Sequence, residues 1–389
     1  MKYYIIAGEA SGDLHGSNLM KGIYAEDAGA DIRFWGGSLM DAVFKSCQEG
    51  EGLVCDYKEG ALMGFTEVVL KARSVSRKLA RCKSDILAWQ PDVVILIDYP
   101  GFNFKIAEFA HKKGFKVFYY IAPKVWASRE SRVRKLKAFV DRLFIVFPFE
   151  KEYFDRKGVS YIYKGNPLID AIDSHGSLSE TREKFLRRTG LEDRRMIALL
   201  PGSRNMELGF MLPRLAEFAD KMHAIPEYAA WQFVIAGAPA RKMEDYARYL
   251  AGREEYVKVV FGETYGILRH AEAAVVNSGT ASLEAALIGT PQLVGYGSNS
   301  DISYIIARQI IRVKYISLGN LIIDREAFRE LIQYYFTPDT VLAEIRRILE
   351  DSAYREKMLS DYSEIRTLLG GSGASRSVAK AMIQELIGR

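Results

Sequence analysis

Short apolar runs alternate with amphipathic stretches from one end of the sequence to the other, and this alternation restricts the topology more than any other feature. The runs are Val93 to Ile97, Val117 to Ile121, Leu143 to Phe147, Ile197 to Leu200, Phe233 to Ala236 and Ala273 to Val276. Runs this short and this apolar are buried on both faces, so they belong in parallel sheets whose crossover helices cover each side. A chain of 389 residues exceeds what one core usually supports, which points to two domains. The pattern restarts after Gly165-Asn166-Pro167-Leu168-Ile169-Asp170 and the polar stretch Asp173 to Thr181, where the linker is placed. The expected fold class is therefore α/β, with two Rossmann-like parallel-sheet domains over residues 1–172 and 173–350. From Pro338 on, the pattern is helical only. Gly370-Gly371-Ser372-Gly373 breaks the final pair of helices, so the segment 351–389 is expected to return to the first domain or to exchange with a partner chain in a homodimer.

Two turns in the second half have the form of phosphate sites. Ala273 to Val276 runs into Asn277-Ser278-Gly279-Thr280-Ala281-Ser282-Leu283-Glu284, and Ile197 to Leu200 runs into Pro201-Gly202-Ser203-Arg204. A buried strand that ends in small residues and starts a helix points backbone N–H groups at a ligand, which suits a diphosphate. Glu284 follows about one helical turn inside and can face a ribose. In the first half, Ala7-Gly8-Glu9-Ala10-Ser11-Gly12-Asp13 is also strand, loop and helix, but its spacing is not that of a dinucleotide fingerprint. Its two carboxylates suit sugar hydroxyls better than a pyrophosphate. Asp13 can alternatively cap a helix, and His15 reads as a packed or surface residue.

Asp98 ends the run Val93 to Ile97 and opens Asp98-Tyr99-Pro100-Gly101-Phe102-Asn103. That is the carboxyl edge of a parallel sheet, where open α/β folds carry their functional groups. An apolar surrounding raises a carboxyl pKa and makes a general base for a hydroxyl. An aspartate bonding its own turn before Pro100 is the other reading. Trp126 is either a sugar platform or a core aromatic.

The net charge of +5 is modest, but its distribution is uneven. Lys71, Arg73, Arg77, Lys78, Arg81 and Lys83 follow one another with no acid between Val68 and Ser84, just after the apolar stretch Ala61-Leu62-Met63-Gly64-Phe65. A second basic tract holds Arg129, Arg132, Arg134, Lys135 and Lys137. Apolar residues beside basic helices suit an anionic membrane surface; a solvated helix face is the plainer reading. No nucleic-acid motif accompanies the charge, so nucleic acid is not expected as a partner. No apolar run reaches the ~18 residues of a spanning helix, and Cys47, Cys55 and Cys82 form no CxxC pair. A reducing, cytoplasmic location is expected, peripheral on the inner face of the inner membrane.

Six motifs occur in an order that resembles lipid-A-disaccharide synthases over nearly the whole chain. They are Ala7 to Asp13, Met63 to Val68, Pro123 to Ala127, Phe147-Pro148-Phe149-Glu150, Leu200 to Arg204 and Ser278 to Ala281, with Ser317-Leu318-Gly319-Asn320-Leu321 matching a further Asn-Leu element. Ser128 stands where the family often has a second tryptophan, and Asn166 where it often has histidine. The resemblance implies a GT-B glycosyltransferase, with the two domains facing a cleft. It would join UDP-2,3-diacylglucosamine to 2,3-diacylglucosamine 1-phosphate with inversion and need neither metal nor cofactor. It implies Asp98 and Glu9 as catalytic residues, and Gly202, Ser203, Arg204, Asn277, Ser278, Gly279, Thr280, Glu284 and Asn320 on the nucleotide side. Ser11, Met63, Phe65, Arg73, Arg77, Trp126 and Arg132 would lie on the acceptor and membrane side. The alternatives are another UDP-sugar enzyme of this architecture, such as a 2-epimerase or a lipid-linked sugar transferase, a nucleotide-sugar binding protein, and a membrane-surface structural protein.

Overall fold

The computed structural model describes residues 1–59, 68–126, 130–239, 241–299 and 314–388, with side chains in the first long helix described from residue 75. Met63, Phe65 and the side chain of Arg73 therefore lie outside the described residues, as do Ser128 and Arg129. The chain divides into two compact units, Met1–Ala171 together with Leu369–Arg389, and Ile172–Leu368.

The first unit holds seven strands: β1 (Lys2–Ala7), β2 (Asp31–Gly36), β3 (Leu53–Asp56), β4 (Val93–Ile97), β5 (Lys116–Tyr120), β6 (Arg142–Ile145) and β7 (Ile162–Tyr163). They form one sheet in the order β3-β2-β1-β4-β5-β6-β7. The second unit holds β8 (Met196–Leu200), β9 (Gln232–Gly237), β10 (Val257–Phe261), β11 (Ala273–Asn277), β12 (Gln292–Tyr296) and β13 (Glu330–Ile332), in the order β10-β9-β8-β11-β12-β13. Every strand pairing among the described residues is parallel. Each apolar run of the sequence lies on a strand to within a residue or two, because Val, Ile and Leu buried on both faces leave no solvated side. The central strands β4, β8 and β11 are buried throughout.

Strand order reverses once in each sheet, between β1 and β4 and between β8 and β11. Helices leaving the two strands at such a point go to opposite faces, which opens a crevice at their carboxyl ends. Register aligns the two loops: Ala7 pairs with Ile97 in the first sheet, and Leu200 with Val276 in the second.

Asp13 settles the beginning of the first unit. It lies in the first turn of α1 (Ala10–Glu26) but caps the next helix, α2 (Ser38–Cys47). Its carboxylate accepts from the N–H groups of Gly37 at 2.8 Å, Leu39 at 3.1 Å and Met40 at 3.1 Å. Buried and fully engaged, it is a structural anchor and not a ligand for sugar hydroxyls. His15 is neutral, its pKa pushed down to about 4 by burial.

The expected helical block 351–389 is split between the units. Helix Ser352–Leu369 stays in the second, where Gln292 donates its N–H to Met358 Sδ at 3.4 Å and Arg355 bonds the Glu272 carbonyl at 2.9 Å. The last helix, Ala374–Ile387, returns to the first unit and packs on α1 of the same chain. Asp170 accepts from the N–H of Ser375 at 2.7 Å, and Arg376 pairs with Glu26 at 2.6 Å. No described helix is long and apolar enough to cross a membrane.

Replacing Asp13 with Asn puts an amide where a charged acceptor meets three N–H donors. The expected loss is about 2 kcal/mol of stability, read as a lower urea midpoint with an unchanged slope. A midpoint equal to that of the wild type would count against the capping role.

Candidate functional site

At the reversal point of the first sheet, the backbone after β4 takes an unusual path. Asp98 has φ of 40° and Tyr99 of 46°, two successive left-handed residues that are not glycine, before α4 begins (Pro100–Lys112). Such a path costs energy and persists only where its surroundings impose it. Here Asn103, fully buried, donates Nδ2 to the carbonyls of Ile97 at 3.1 Å and Asp98 at 2.8 Å. The Tyr119 hydroxyl donates to the same Asp98 carbonyl at 2.6 Å. These bonds fix the Asp98 carbonyl, while its carboxyl has the Tyr99 backbone N–H for a neighbour.

The Tyr99 ring stacks on Phe102 with centroids 5.6 Å apart and lies across Gly8. A Cβ at Gly8 would stand 2.2 Å from Tyr99 Cδ1, so this loop needs glycine for close approach. Glu9 follows as the exposed N-cap residue of α1, with no side-chain capping bond. Ser11, in the first turn, is exposed. Burial pushes the Asp98 carboxyl up, the Lys124 ammonium pulls it back, and Glu9 pushes it up again, so it stays above the ordinary aspartate range. Glu9, Asp98 and Lys124 thus form one electrostatic group; no feature of the sequence singles out Lys124 within its motif.

Trp126 is held by its edge. Its Nε1 donates to Glu150 Oε1 at 3.1 Å, and its ring meets Phe149 edge-on at 4.9 Å. Glu150 is buried, and its Oε2 accepts from the N–H of Val146 at 3.1 Å and Phe147 at 3.0 Å. Burial pushes its carboxyl up to about 7 against those donors. Arg132 lies over the Phe104 ring at 5.8 Å and acts electrostatically on Tyr119, close behind the Asp98 turn. In α3 (Val68–Trp89), Arg77 is exposed, whereas Arg81 pairs with Glu59 at 3.6 Å and bonds the Val54 carbonyl. The basic stripe is therefore partly engaged by its own chain. Asn166 caps helix Pro167–Asp173, accepting from the Leu168 N–H at 2.9 Å, and its Nδ2 bonds the Val146 carbonyl at 3.0 Å.

The two phosphate-type turns of the second unit lie side by side at the carboxyl ends of β8 and β11, but they differ. The Pro201 to Arg204 turn is occupied from within: Glu207 Oε2 accepts from the N–H of Ser203 at 2.8 Å and Arg204 at 3.0 Å. Arg204, largely exposed, reaches Glu207 Oε1 at 3.1 Å. Gly202 has φ of +95°, and a Cβ there would lie 2.5 Å from Glu207 Oε2 and 2.8 Å from Asn277 Nδ2. Of the two phosphate-type turns expected, this one has its Ser203 and Arg204 N–H groups engaged by the carboxylate of the third residue of the following helix. Arg241 braces this turn, bonding the Ser203 carbonyl at 2.7 Å and Asn205 Oδ1 at 2.5 Å.

The Asn277 to Thr280 turn is open. A Cβ added at Gly279 would meet no atom within 4 Å, and helix Thr280–Ile288 starts beside it without a side-chain cap. Ser278 is fixed by its N–H to the Gly295 carbonyl at 2.9 Å and its hydroxyl to the Ile316 carbonyl at 3.2 Å. Glu284, on the second turn of the helix, accepts the Tyr265 hydroxyl at 2.8 Å. Burial pushes its carboxyl up and that hydroxyl pulls it back.

Asn320 is fully buried and bonded through both ends of its amide. Its Nδ2 donates to the Phe328 carbonyl and to Glu330 Oε1, each at 2.9 Å, while Oδ1 accepts from Ala327 at 2.8 Å and Phe328 at 3.3 Å. Glu330 in turn accepts from Ile316 at 2.9 Å and Ser317 at 3.0 Å. Asn320, expected to support the nucleotide or the closed cleft, is thus bonded within its own unit and connects to the Ser278 turn through Glu330 and Ile316.

Known proteins resemble this chain in sequence and in fold. The curated relatives include lipid-A-disaccharide synthases of Geobacter metallireducens, 36% identical over 99% of this chain and 97% of that one, and of Syntrophus aciditrophicus, 38% identical over 96% and 95%. Among solved structures, the fold matches UDP-GlcNAc 2-epimerase from Neisseria meningitidis bound to UDP-GlcNAc, at a TM-score of 0.72 and 13% identity, covering 99% of this chain and 100% of that one. It also matches the enzyme of that name from Methanocaldococcus jannaschii, at 0.67 and 13%, covering 98% and 99%. The family profile described as lipid-A-disaccharide synthetase matches residues 3–384. The chain belongs to the lipid-A-disaccharide synthetase family.

Proposed function

We propose that this glycosyltransferase moves the 2,3-diacylglucosaminyl group of UDP-2,3-diacylglucosamine to the 6-hydroxyl of 2,3-diacylglucosamine 1-phosphate, giving the β-1,6-linked disaccharide 1-phosphate and UDP. The observation that carries this reading is Asp98, a half-buried carboxyl held above its ordinary pKa on a strained turn at the carboxyl edge of a parallel sheet. Asp98 takes the proton of the acceptor hydroxyl as that oxygen attacks the anomeric carbon. The bond to UDP breaks on the opposite face, its electron pair leaves on the diphosphate, and the configuration inverts. A second carboxylate acting as acid is unnecessary, since UDP departs as an anion if its charge is met. Glu9 bonds sugar hydroxyls on the acceptor side, and Trp126 offers an edge-anchored ring beside them.

On the donor side, the open turn at Asn277, Ser278, Gly279 and Thr280 holds the diphosphate through backbone N–H groups and hydroxyls. Glu284 accepts from the ribose. Arg204 leaves Glu207 for the diphosphate when donor binds; its exposure makes this exchange inexpensive. Gly202 and Ser203 shape the neighbouring turn, with their geometry set by Glu207. The exposed Arg77 and the second basic tract favour a peripheral position on an anionic bilayer surface, at the inner face of the inner membrane where both acylated substrates would reside.

Asp98→Asn is expected to lower kcat about a hundred-fold or more while KM for either substrate moves little, measured as acceptor-dependent UDP release. The ionised Asp98 is the active form, so activity is lost as pH falls through its raised pKa. Lys124→Met removes the group that pulls that pKa down, so the acid limb of kcat/KM should move to higher pH. An unshifted limb, or full activity in Asp98→Asn, sinks the assignment of Asp98 as base.

Arg204→Ala is expected to weaken UDP binding about ten- to a hundred-fold by calorimetry, and unchanged affinity would return Arg204 to a purely structural partner of Glu207. Binding to vesicles rich in phosphatidylglycerol should weaken as salt rises from low to about physiological strength or beyond. Salt-independent binding contradicts the electrostatic part of the membrane reading.

A further inference from the structure

Tyr265 is a buried phenol with a specific partner. It lies in the first turn of helix Thr264–His270, next to helix Thr280–Ile288, and is 9% exposed. Its hydroxyl donates to Glu284 Oε1 at 2.8 Å. Burial pushes the phenol far above its ordinary pKa, and the neighbouring Glu284 charge pushes the same way, so Tyr265 remains a donor at every working pH. His175 packs against its ring at 4.7 Å. The His175 Nδ1 accepts from the Ser177 N–H at 3.3 Å, and desolvation lowers the imidazole pKa while Glu263 opposes it.

Glu284 has no other hydrogen-bond partner among the described residues. A glutamate side chain has three rotatable bonds, and fixing one carboxylate oxygen removes most of that freedom before a ligand arrives. That leaves Oε2 as the oxygen without a hydrogen bond among the described residues. The Tyr265 bond also favours the ionised carboxylate that burial opposes, and an ionised acceptor makes the stronger bond to a hydroxyl.

We propose that Tyr265 is a positioning residue for ribose recognition: by holding Glu284 Oε1, it presents Oε2 to the ribose hydroxyls of the nucleotide and sets the preference for a ribonucleotide over its deoxy counterpart. This inference rests on the assignment of Glu284 to the ribose given above. Tyr265 touches neither substrate nor reacting atoms; it acts through Glu284.

The test compares UDP with 2′,3′-dideoxyuridine diphosphate by calorimetry on the full chain, for the wild type, Tyr265→Phe and Glu284→Gln. Tyr265→Phe keeps the buried ring and removes only the donor. The wild type should prefer UDP by about a hundred-fold, and Tyr265→Phe should reduce that preference to about ten-fold or less through weaker UDP binding. Its affinity for the dideoxy analogue should stay that of the wild type, whereas a merely structural role would weaken both ligands alike. Equal weakening of both, or an unchanged preference alongside its loss in Glu284→Gln, overturns the role of Tyr265 alone. A preference that survives in Glu284→Gln, or none in the wild type, overturns the ribose assignment of Glu284 and this inference with it.

Discussion

A parallel sheet can be wound in both directions from its middle only if two neighbouring strands send their crossovers to opposite faces, because those crossovers are right-handed. In this chain that constraint acts twice, at β1 and β4 and at β8 and β11. Everything attributed to chemistry follows from it. The register that pairs Ala7 with Ile97 sets Gly8 and Glu9 beside Asp98 and Tyr99, and the register that pairs Leu200 with Val276 sets Gly202 beside Asn277. Residues about 90 and 75 positions apart in sequence meet because hydrogen-bond ladders end level.

The same geometry is filled in opposite ways. The first crevice collects side-chain charge: Glu9, Asp98 and Lys124, with the Asp98 backbone tied back by Asn103 and Tyr119. The second is built on two strand-to-helix turns, and three of its carboxylates have internal partners. Glu207 closes one turn, Glu284 is held by Tyr265, and Glu330 is held between Asn320, Ile316 and Ser317. A largely exposed guanidinium, that of Arg204, stands at the second crevice, and the first holds a carboxyl raised above the ordinary aspartate range. On the proposed function, the second crevice takes the diphosphate and the first the nucleophilic hydroxyl.

How much of this is legible in the sequence depends on whether a feature is local. Strand runs, the Asp98 position and the small-residue turn at Asn277 to Thr280 follow from periodicity and adjacency, and they stand in the structure where the pattern puts them. Glu207 lies only three residues beyond Arg204, a spacing that suits a carboxylate reaching back to a helix start, so its closure of that turn is a local signal that the small-residue pattern obscures. Asp13 has the position of a cap for its own helix; its true partner, α2, begins about 25 residues later, and no local rule specifies it. Lys124, Tyr265 and Arg241 reach the sites from segments remote in sequence, and only tertiary packing brings them there. Asn320 stands out by motif, but its exhaustion by four internal bonds is a fact of three-dimensional satisfaction.

The balance around Asp98 has a direct chemical consequence. A base far below its working pH in pKa would be ionised but weak, and one far above it would be strong but protonated. Burial and Glu9 raise the Asp98 carboxyl, which strengthens it as a base; Lys124 limits the rise and favours the ionised form. Removing either neighbour moves the carboxyl away from that compromise in opposite directions. A ligand that engages the Glu9 carboxylate would alter the field at Asp98, because the two carboxylates interact electrostatically. On the proposed reading of Asp98 as base, acceptor binding at Glu9 and the basicity of Asp98 are coupled through this pair of carboxylates at the ends of β1 and β4.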